Sequence, residues 1–377
     1  MSMMNQEILS TSDLKSQEYF LNMGPQHPAT HGVLRLILTM DGEIVKHIEP
    51  DLGYIHRGVE KMTEYATYRQ IIHLTDRFDY LSSHMNNEAV ALAVEKALEV
   101  EVSDRIKVIR TMMNELTRLA SHLLWWGVTG MDIGALTTFM YAFRDREMIN
   151  EIMEETTGAR LTMSYNIPGG VMFDLHPEFP RKVKGLIKHM RKVLPEYDRL
   201  LTGNFIFQKR MKGVGYLSPE DAVNAGATGP VARGSGVSSD LRKKLKYSAY
   251  DRVEFEEALE EGGDNLARYK VRMKEMYESL KILEQLVDNI PEGPYQMPVR
   301  QLIKLPKGEF MQRVETARGE FDVFIVSDGK KNPYRVKFRS PGFSNLNALL
   351  KAGVGWKIAD LVAIMATFDF VIPDLDR

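Results

Sequence analysis

The sequence predicts a mainly helical α+β fold: a central helical bundle with small antiparallel β-sheets at the N-terminus and near the C-terminus. Three observations carry this. Apolar residues recur at helical spacing in two long stretches, from Ile109 through Met112, Leu116 and Leu119 to Leu123, and from Leu266 through Met273 and Leu280 to Leu286. Asp41-Gly42 is a hairpin turn signal between two strand-like runs, and Asp328-Gly329 opens a loop behind the alternating Phe321, Val323 and Ile325. At 377 residues, 44% apolar and 27% charged, the chain has a globular composition and the length for a large core.

The elements follow in order. Residues 1–20 read as a polar N-terminal arm. Residues 21–58 read as a β-hairpin region, with strands Val33–Met40 and Glu43–Glu49 behind a His-bearing loop. Residues 59–377 read as a helical body with a C-terminal β-hairpin region. Ser103 is a candidate N-cap for a long helix, since its hydroxyl can accept an orphan amide. That helix is expected to stop near Gly127–Gly130, with Asp132 at its end. Further helices are expected over Thr137–Thr157, Pro177–Leu201, Asn265–Asn289, Ser344–Ala352 and Asp360–Thr367. Val336 and Phe338 form the partner strand of the C-terminal hairpin, and Asp369–Arg377 is a tail.

Composition excludes whole classes of function. With no cysteine there is no disulfide, thiol nucleophile, thiolate-held zinc or protein-ligated iron–sulfur cluster. A formal net charge of −2 gives no electrostatic reason to expect nucleic acid. Met1–Glu18 lacks the apolar run of a signal peptide, and no stretch is long and apolar enough to span a membrane. The chain therefore reads as cytoplasmic and soluble when alone. Its 22 methionines read mainly as core filler. The glycine-rich stretch Gly226–Gly236 lacks the Lys-Ser/Thr ending of a phosphate loop and reads as a structural loop. The basic run Arg242–Lys246 and the acidic run Glu254–Glu261 read as solvated faces or contacts to neighbouring chains.

The most informative segment is Met23-Gly24-Pro25-Gln26-His27-Pro28-Ala29-Thr30-His31-Gly32-Val33-Leu34-Arg35. Prolines and glycines fix an irregular loop around two imidazoles, the side chains best able to exchange a proton near neutral pH. Pro28 argues against a helix through His27 and His31, so the helical metal-ligand pair does not apply and no metal site is expected. Three other segments concentrate polar groups: Asp51–Lys61, which contains His56-Arg57-Gly58; Asp76–Glu88, which contains Arg77-Phe78-Asp79-Tyr80-Leu81-Ser82; and Gly130-Met131-Asp132-Ile133-Gly134.

In this order, and over nearly the whole chain, these segments resemble the D-subunit family of proton-pumping NADH–quinone oxidoreductase, respiratory complex I. That family is itself similar to the large subunit of nickel–iron hydrogenases. Where the hydrogenases carry two Cys-x-x-Cys pairs, this chain has Asp79 and Ser82, then Val371 and Asp374. The four soft ligands are gone, and nickel would have nothing to hold it.

The resemblance implies that the vacated metal cavity is the head of a quinone channel shared with the complex's B protein, which carries the terminal iron–sulfur cluster. It implies that His31 and Tyr80 bond the quinone carbonyls, that Asp132 partners His31, and that Arg57 and Arg77 lie near the cluster. His27 is then part of the loop's framework, and His84 and His122 are structural. No cofactor is expected on this chain alone. The implied partners are the B, C, H and I subunits of complex I, on the cytoplasmic side of the bacterial plasma membrane and peripheral to it. Thr162 and Ile167 stand where many members of the family carry a His and an Arg. Fewer positive charges would lower the cluster potential, so menaquinone is the expected acceptor. Two rivals share these residues: a non-catalytic scaffold, and the equivalent protein of a complex fed by ferredoxin or another donor.

Overall fold

A computed structural model describes residues 18–377; of the expected N-terminal arm, residues 1–17 lie outside it. Strand β1 (Glu18–Met23) already begins inside that arm, and it pairs antiparallel with β4 along its whole length. The His loop follows as a minute hairpin, β2 (Gln26–His27) and β3 (Gly32–Val33). The expected strand Val33–Met40 is thus split: Leu34 separates β3 from β4 (Arg35–Asp41). Asp41-Gly42 turns the chain into β5 (Ile44–Asp51), giving an antiparallel sheet of order β1-β4-β5. Leu36, Leu38 and Met40 point inward at the two-residue period of a half-buried sheet.

The helical body opens with α1 (Val59–Thr63), α2 (Tyr68–Thr75) and α3 (Ser83–Leu98), then α4 (Asp104–Asp132) and α5 (Leu136–Thr157). Ser103 caps α4, its Oγ accepting from the Ile106 amide at 3.3 Å. The stripe from Ile109 to Leu123 marks one face in the sequence, but in the fold every residue from Arg110 to Leu123 is buried. The reason is position: α4 is the central helix, with α3, α5 and the later helices over Asn265–Val287 and Ile358–Phe368 against it. The charged residues on its other faces are therefore paired internally. Arg110 bonds Glu95 at 2.6 and 3.0 Å, and Glu115 meets Arg242 at 3.2 Å.

The helix ends close to the expected Gly127–Gly130, at Asp132. Those glycines form the seat of α5: a Cβ on Gly127 would lie 2.8 Å from Ala142 Cβ, and one on Gly130 only 2.0 Å from Thr138 Oγ1.

A two-stranded turn, β6 (Asn166–Ile167) with β7 (Gly170–Val171), precedes α6 (Phe179–Tyr197). Four short helices follow: α7 (Phe205–Met211), α8 (Pro219–Asn224), α9 (Gly229–Gly234) and α10 (Leu241–Lys244). Two expectations fail here. The glycine-rich stretch is not all loop, because α9 packs tightly on the next long helix; a Cβ on Gly234 would meet Arg268 Cγ at 2.8 Å. The basic run is not a solvated face throughout, because Arg242 is fully buried between Asp240 and Glu115, at 2.7 and 3.2 Å.

α11 (Asn265–Val287), capped by Asp264, closes the bundle. The C-terminal sheet has one strand more than expected: β8 (Gly308–Glu315), β9 (Glu320–Ser327) and β10 (Arg335–Arg339), in the order β10-β9-β8. Helices α12 (Pro341–Ala352) and α13 (Ile358–Phe368) follow, and the expected tail contains α14 (Ile372–Asp376). Two hydrophobic cores result. One unites the bundle with the C-terminal sheet, and the other unites the N-terminal sheet with α12–α14.

Candidate functional site

The His loop is locked by its own chain. His27 Nδ1 accepts the Ala29 amide at 3.2 Å, Pro28 opens a single 3-10 turn, and Thr30 Oγ1 lies 2.8 Å from His27 O. His31 sits in the left-handed region at φ 51°, where the chain turns sharply before β3. Gly32 lets this turn press on α14, where any Cβ would come within 2.6 Å of Ile372 Cγ1. His27 is thus bonded into the loop, and His31 is presented by it.

His31 Nε2 lies 2.8 Å from Asp132 Oδ2 at the last turn of α4. The pair is short, though its geometry falls outside full hydrogen-bond alignment. Burial works to lower the His31 pKa. The Asp132 contact, the Asp132 charge and the more distant Asp369 charge outweigh it, and the net pKa is above the ordinary 6.5. His31 is therefore biased toward carrying its proton.

Tyr80 comes from the link between α2 and α3. Asp79 holds that link: its Oδ1 accepts the Leu81 amide at 3.0 Å and its Oδ2 accepts Arg318 Nη1 at 2.9 Å. Burial raises the Tyr80 pKa, with Arg318 opposing and Asp79 and Asp369 adding to it, so the phenol stays protonated. His31 and Tyr80 line one cavity of about 270 Å³, with Leu81, Leu124, Trp125, Val128, Phe370 and Val371 as apolar wall. That volume is at the small end of ligand sites, which run from roughly 300 to 1,000 Å³.

Arg318 and Asp369 form the polar floor, bonded to each other at 3.0 Å. Nothing in the sequence singles out either residue. Arg318 sits in the turn between β8 and β9 and Asp369 follows α13, positions where no periodicity marks a side chain. The segment of Asp79 and Ser82 and the segment of Val371 and Asp374 converge here, since Val371 shares the cavity with Tyr80. Asp374, from the second of them, is fully buried, and its pKa is pushed up to about 7, first by burial and then by the charge of Asp79.

Arg57 and Arg77 belong to a separate cluster. Arg57 Nη2 donates to Arg77 O at 2.7 Å, and Arg77 Nη1 donates to His73 O at 2.6 Å. Among the described residues neither guanidinium has a carboxylate within 4.0 Å, whereas Arg318, for one, holds two. His73 also reaches Ser164 Oγ at 2.7 Å, near Thr162 with its positive φ of 52°. His84 and His122 are both fully buried. His84 is held neutral by burial, with a pKa of about 3, and His122 Nε2 lies 2.7 Å from Glu275.

Comparisons with known proteins show what this sequence is similar to. The family described as "Respiratory-chain NADH dehydrogenase, 49 Kd subunit" matches residues 132–303 and 297–377. The C/D subunit of NADH-quinone oxidoreductase from Bacteroides thetaiotaomicron is 53% identical over 361 residues, covering 96% of this chain and 68% of that relative. The D subunit from Geobacillus kaustophilus is 47% identical over 364 residues, covering 96% of this chain and 99% of its own length. Its counterpart from Bacillus mycoides is 47% identical with equally full coverage, 96% and 100%. No helix among the described residues is long and apolar enough to cross a membrane. The chain belongs to the 49-kDa subunit family of the respiratory-chain NADH dehydrogenase, the D subunits of NADH–quinone oxidoreductase.

Proposed function

We propose that this chain forms the quinone-reduction site of a proton-pumping NADH–quinone oxidoreductase, with the quinone head group in the cavity between His31 and Tyr80. One observation carries the reading: two proton-bearing side chains share a small apolar cavity, and a carboxylate stands 2.8 Å behind one of them. Reduction of a quinone takes up two electrons and two protons, and its carbonyl oxygens become basic as charge arrives. The Tyr80 hydroxyl and the His31 imidazolium donate to those oxygens and supply the protons. The apolar wall excludes water and strengthens both bonds.

The electrons come from an iron–sulfur cluster held by the complex's B protein, since this chain has no thiolate to hold one. Arg57 and Arg77, without acidic partners among the described residues, would face that cluster. The C, H and I subunits complete the surroundings, on the cytoplasmic face of the membrane. Thr162 and Ile167 add no positive charge to that region, which favours a low potential and menaquinone as acceptor. Once His31 has given up its proton, Asp132 loses its cationic neighbour; that change in pairing is the event that would be coupled to proton translocation.

The test is Tyr80→Phe and His31→Ala in the assembled enzyme. Quinone reduction is expected to fall by about 10²-fold or more, the range for a positioned acid, with electron transfer from NADH to a soluble artificial acceptor unchanged. Normal quinone turnover in both variants would favour a scaffold role.

A further inference from the structure

The short helix α14 stands between two cavities. Phe370 and Val371, just before it, line the cavity shared by His31 and Tyr80. Leu375, Asp376 and Arg377, at its end, line an outer cavity of about 440 Å³, together with Glu60 and the exposed His56. A single helical turn joins the two stretches, closed by the Asp374 amide donating to Val371 O at 3.0 Å. Four residues of helix rise only about 6 Å, so the wall is thin. Asp374 is the one titratable side chain between Val371 and Leu375, and it is fully buried.

Its carboxyl is held by one oxygen only. Oδ2 accepts the Gly342 amide at 3.1 Å, while Oδ1, equally buried, has no partner among the described residues. An ionised carboxylate so placed would lack most of the bonds it needs, so the wall favours the neutral acid. The charges that act on it come from both sides. Arg377 lines the outer cavity; Arg318 lines the inner one and is bonded to Asp79 at 2.9 Å. Burial and then Asp79 push the Asp374 pKa up to about 7, against Arg377 and Arg318, so the group gives and takes a proton near neutral pH. Asp79 and Arg318 also act on Tyr80. Asp374 and Tyr80 thus stand around the same ion pair.

We infer that Asp374 passes protons from the outer cavity to Tyr80, reloading the phenol after each quinone reduction. The inference rests on the quinone reading, in which Tyr80 gives its proton to a carbonyl oxygen and is left as a phenolate. In the reloading step the Asp374 O–H bond breaks and the Tyr80 O–H bond forms. The Asp374 carboxylate, attracted by Arg318 and Arg377, then takes a proton from solvent in the outer cavity. No electron moves, and both groups end each turnover as they began it.

The test is Asp374→Asn in the assembled enzyme, an amide that can still accept from Gly342 but has no acidic proton. Assembly is read from NADH oxidation by a soluble artificial acceptor, and Asp374→Ser serves in the same way where the amide does not assemble. A first quinol per complex should form at the normal rate, because Tyr80 starts protonated. Steady-state kcat should then fall by about tenfold or more, with KM unchanged. Imidazole buffer, a diffusible proton donor near neutral pH, should restore kcat as its concentration rises, and Asp374→Glu should keep much of it. Normal steady-state turnover in Asp374→Asn, a first turnover slowed as much as the steady state, or a loss that imidazole leaves untouched would overturn the inference. Tyr80→Phe is measured alongside. Normal turnover there would refute the quinone reading itself, whereas impaired Tyr80→Phe with normal Asp374→Asn would refute the reloading step alone.

Discussion

A methyl group at position 130 is the smallest change that tests how Asp132 reaches His31. The Cβ of Gly130→Ala would lie 2.0 Å from Thr138 Oγ1, 2.9 Å from its Cβ and 3.2 Å from its Cγ2. Non-bonded carbons rest at about 3.5–4.0 Å, so α4 and α5 must part by on the order of 1 Å, or Thr138 must leave its rotamer. Thr138 is not free to move, because it is buried and its hydroxyl donates to Ala135 O at 2.7 Å. Overpacking of this kind costs about 1–3 kcal/mol, and replacing a glycine in the last turn of a helix returns less than the roughly 1 kcal/mol of a mid-helix site. The net expectation is destabilisation of about 1–2 kcal/mol.

Asp132 lies two residues further on, so its 2.8 Å contact with His31 lengthens as the helices part. A displacement of about 1 Å at a reacting group can cost up to about 10²-fold in rate. Thermal inactivation of the assembled enzyme reads the first effect, and quinone turnover reads the second. Thr138→Ala removes the hydroxyl and methyl that crowd the new group but keeps the Cβ at 2.9 Å, so the double variant should recover part of both losses, although Thr138→Ala alone costs about 1 kcal/mol for its hydrogen bond. Wild-type stability and turnover in Gly130→Ala, or strict additivity in the double variant, would refute the close-approach reasoning.

Two further outcomes follow from the charges. Asp132→Asn keeps the shape but removes the charge that outweighs burial at His31, so the His31 pKa should fall. Turnover should then drop by a factor that grows as pH rises through neutrality, up to about 10²–10⁴. A loss of equal size at every pH would mean that Asp132 acts through shape alone. Asp374 has its pKa raised from 3.8 to about 7 by burial and by Asp79. Between those values the folded state holds a proton that the unfolded chain has released, so stability falls as pH rises, by up to about 1.4 kcal/mol per unit. Asp374→Asn can still accept the Gly342 amide, so it should flatten this slope and raise the thermal midpoint at about pH 8, above the folded-state value. An unchanged slope would place the titration on another group.

Much of the local structure could be read from neighbours in the chain. Ser103 caps α4 and Asp41-Gly42 turns the first sheet because each acts on groups within a few residues, whatever the rest of the chain does. The missed elements are those whose local signal is weak. β1 is short and has polar and aromatic residues on its open face; β8 has Gln312 and Arg313 within it and is a strand only because β9 lies beside it. Gly127 and Gly130 lie near the helix end, as read, but their second use, close helix contact, shows only once α5 is packed against them.

The sequence alone determined the inventory of chemistry: two imidazoles on a stiff loop, a phenol among charges, a carboxylate near a helix end, and no thiolate anywhere. It also carried the caps, stripes and turns that make the helices. Only the tertiary structure decided which of these groups meet. Arg318 reaches Asp79 across 239 residues, and Asp369 closes the same floor from beyond α13. The 2.8 Å approach of His31 to Asp132 likewise joins the first loop to the end of a helix about a hundred residues later. Caps and periodicities act over three or four residues and are written locally; a site is a convergence of distant segments, and its geometry exists only once the core that joins them has formed.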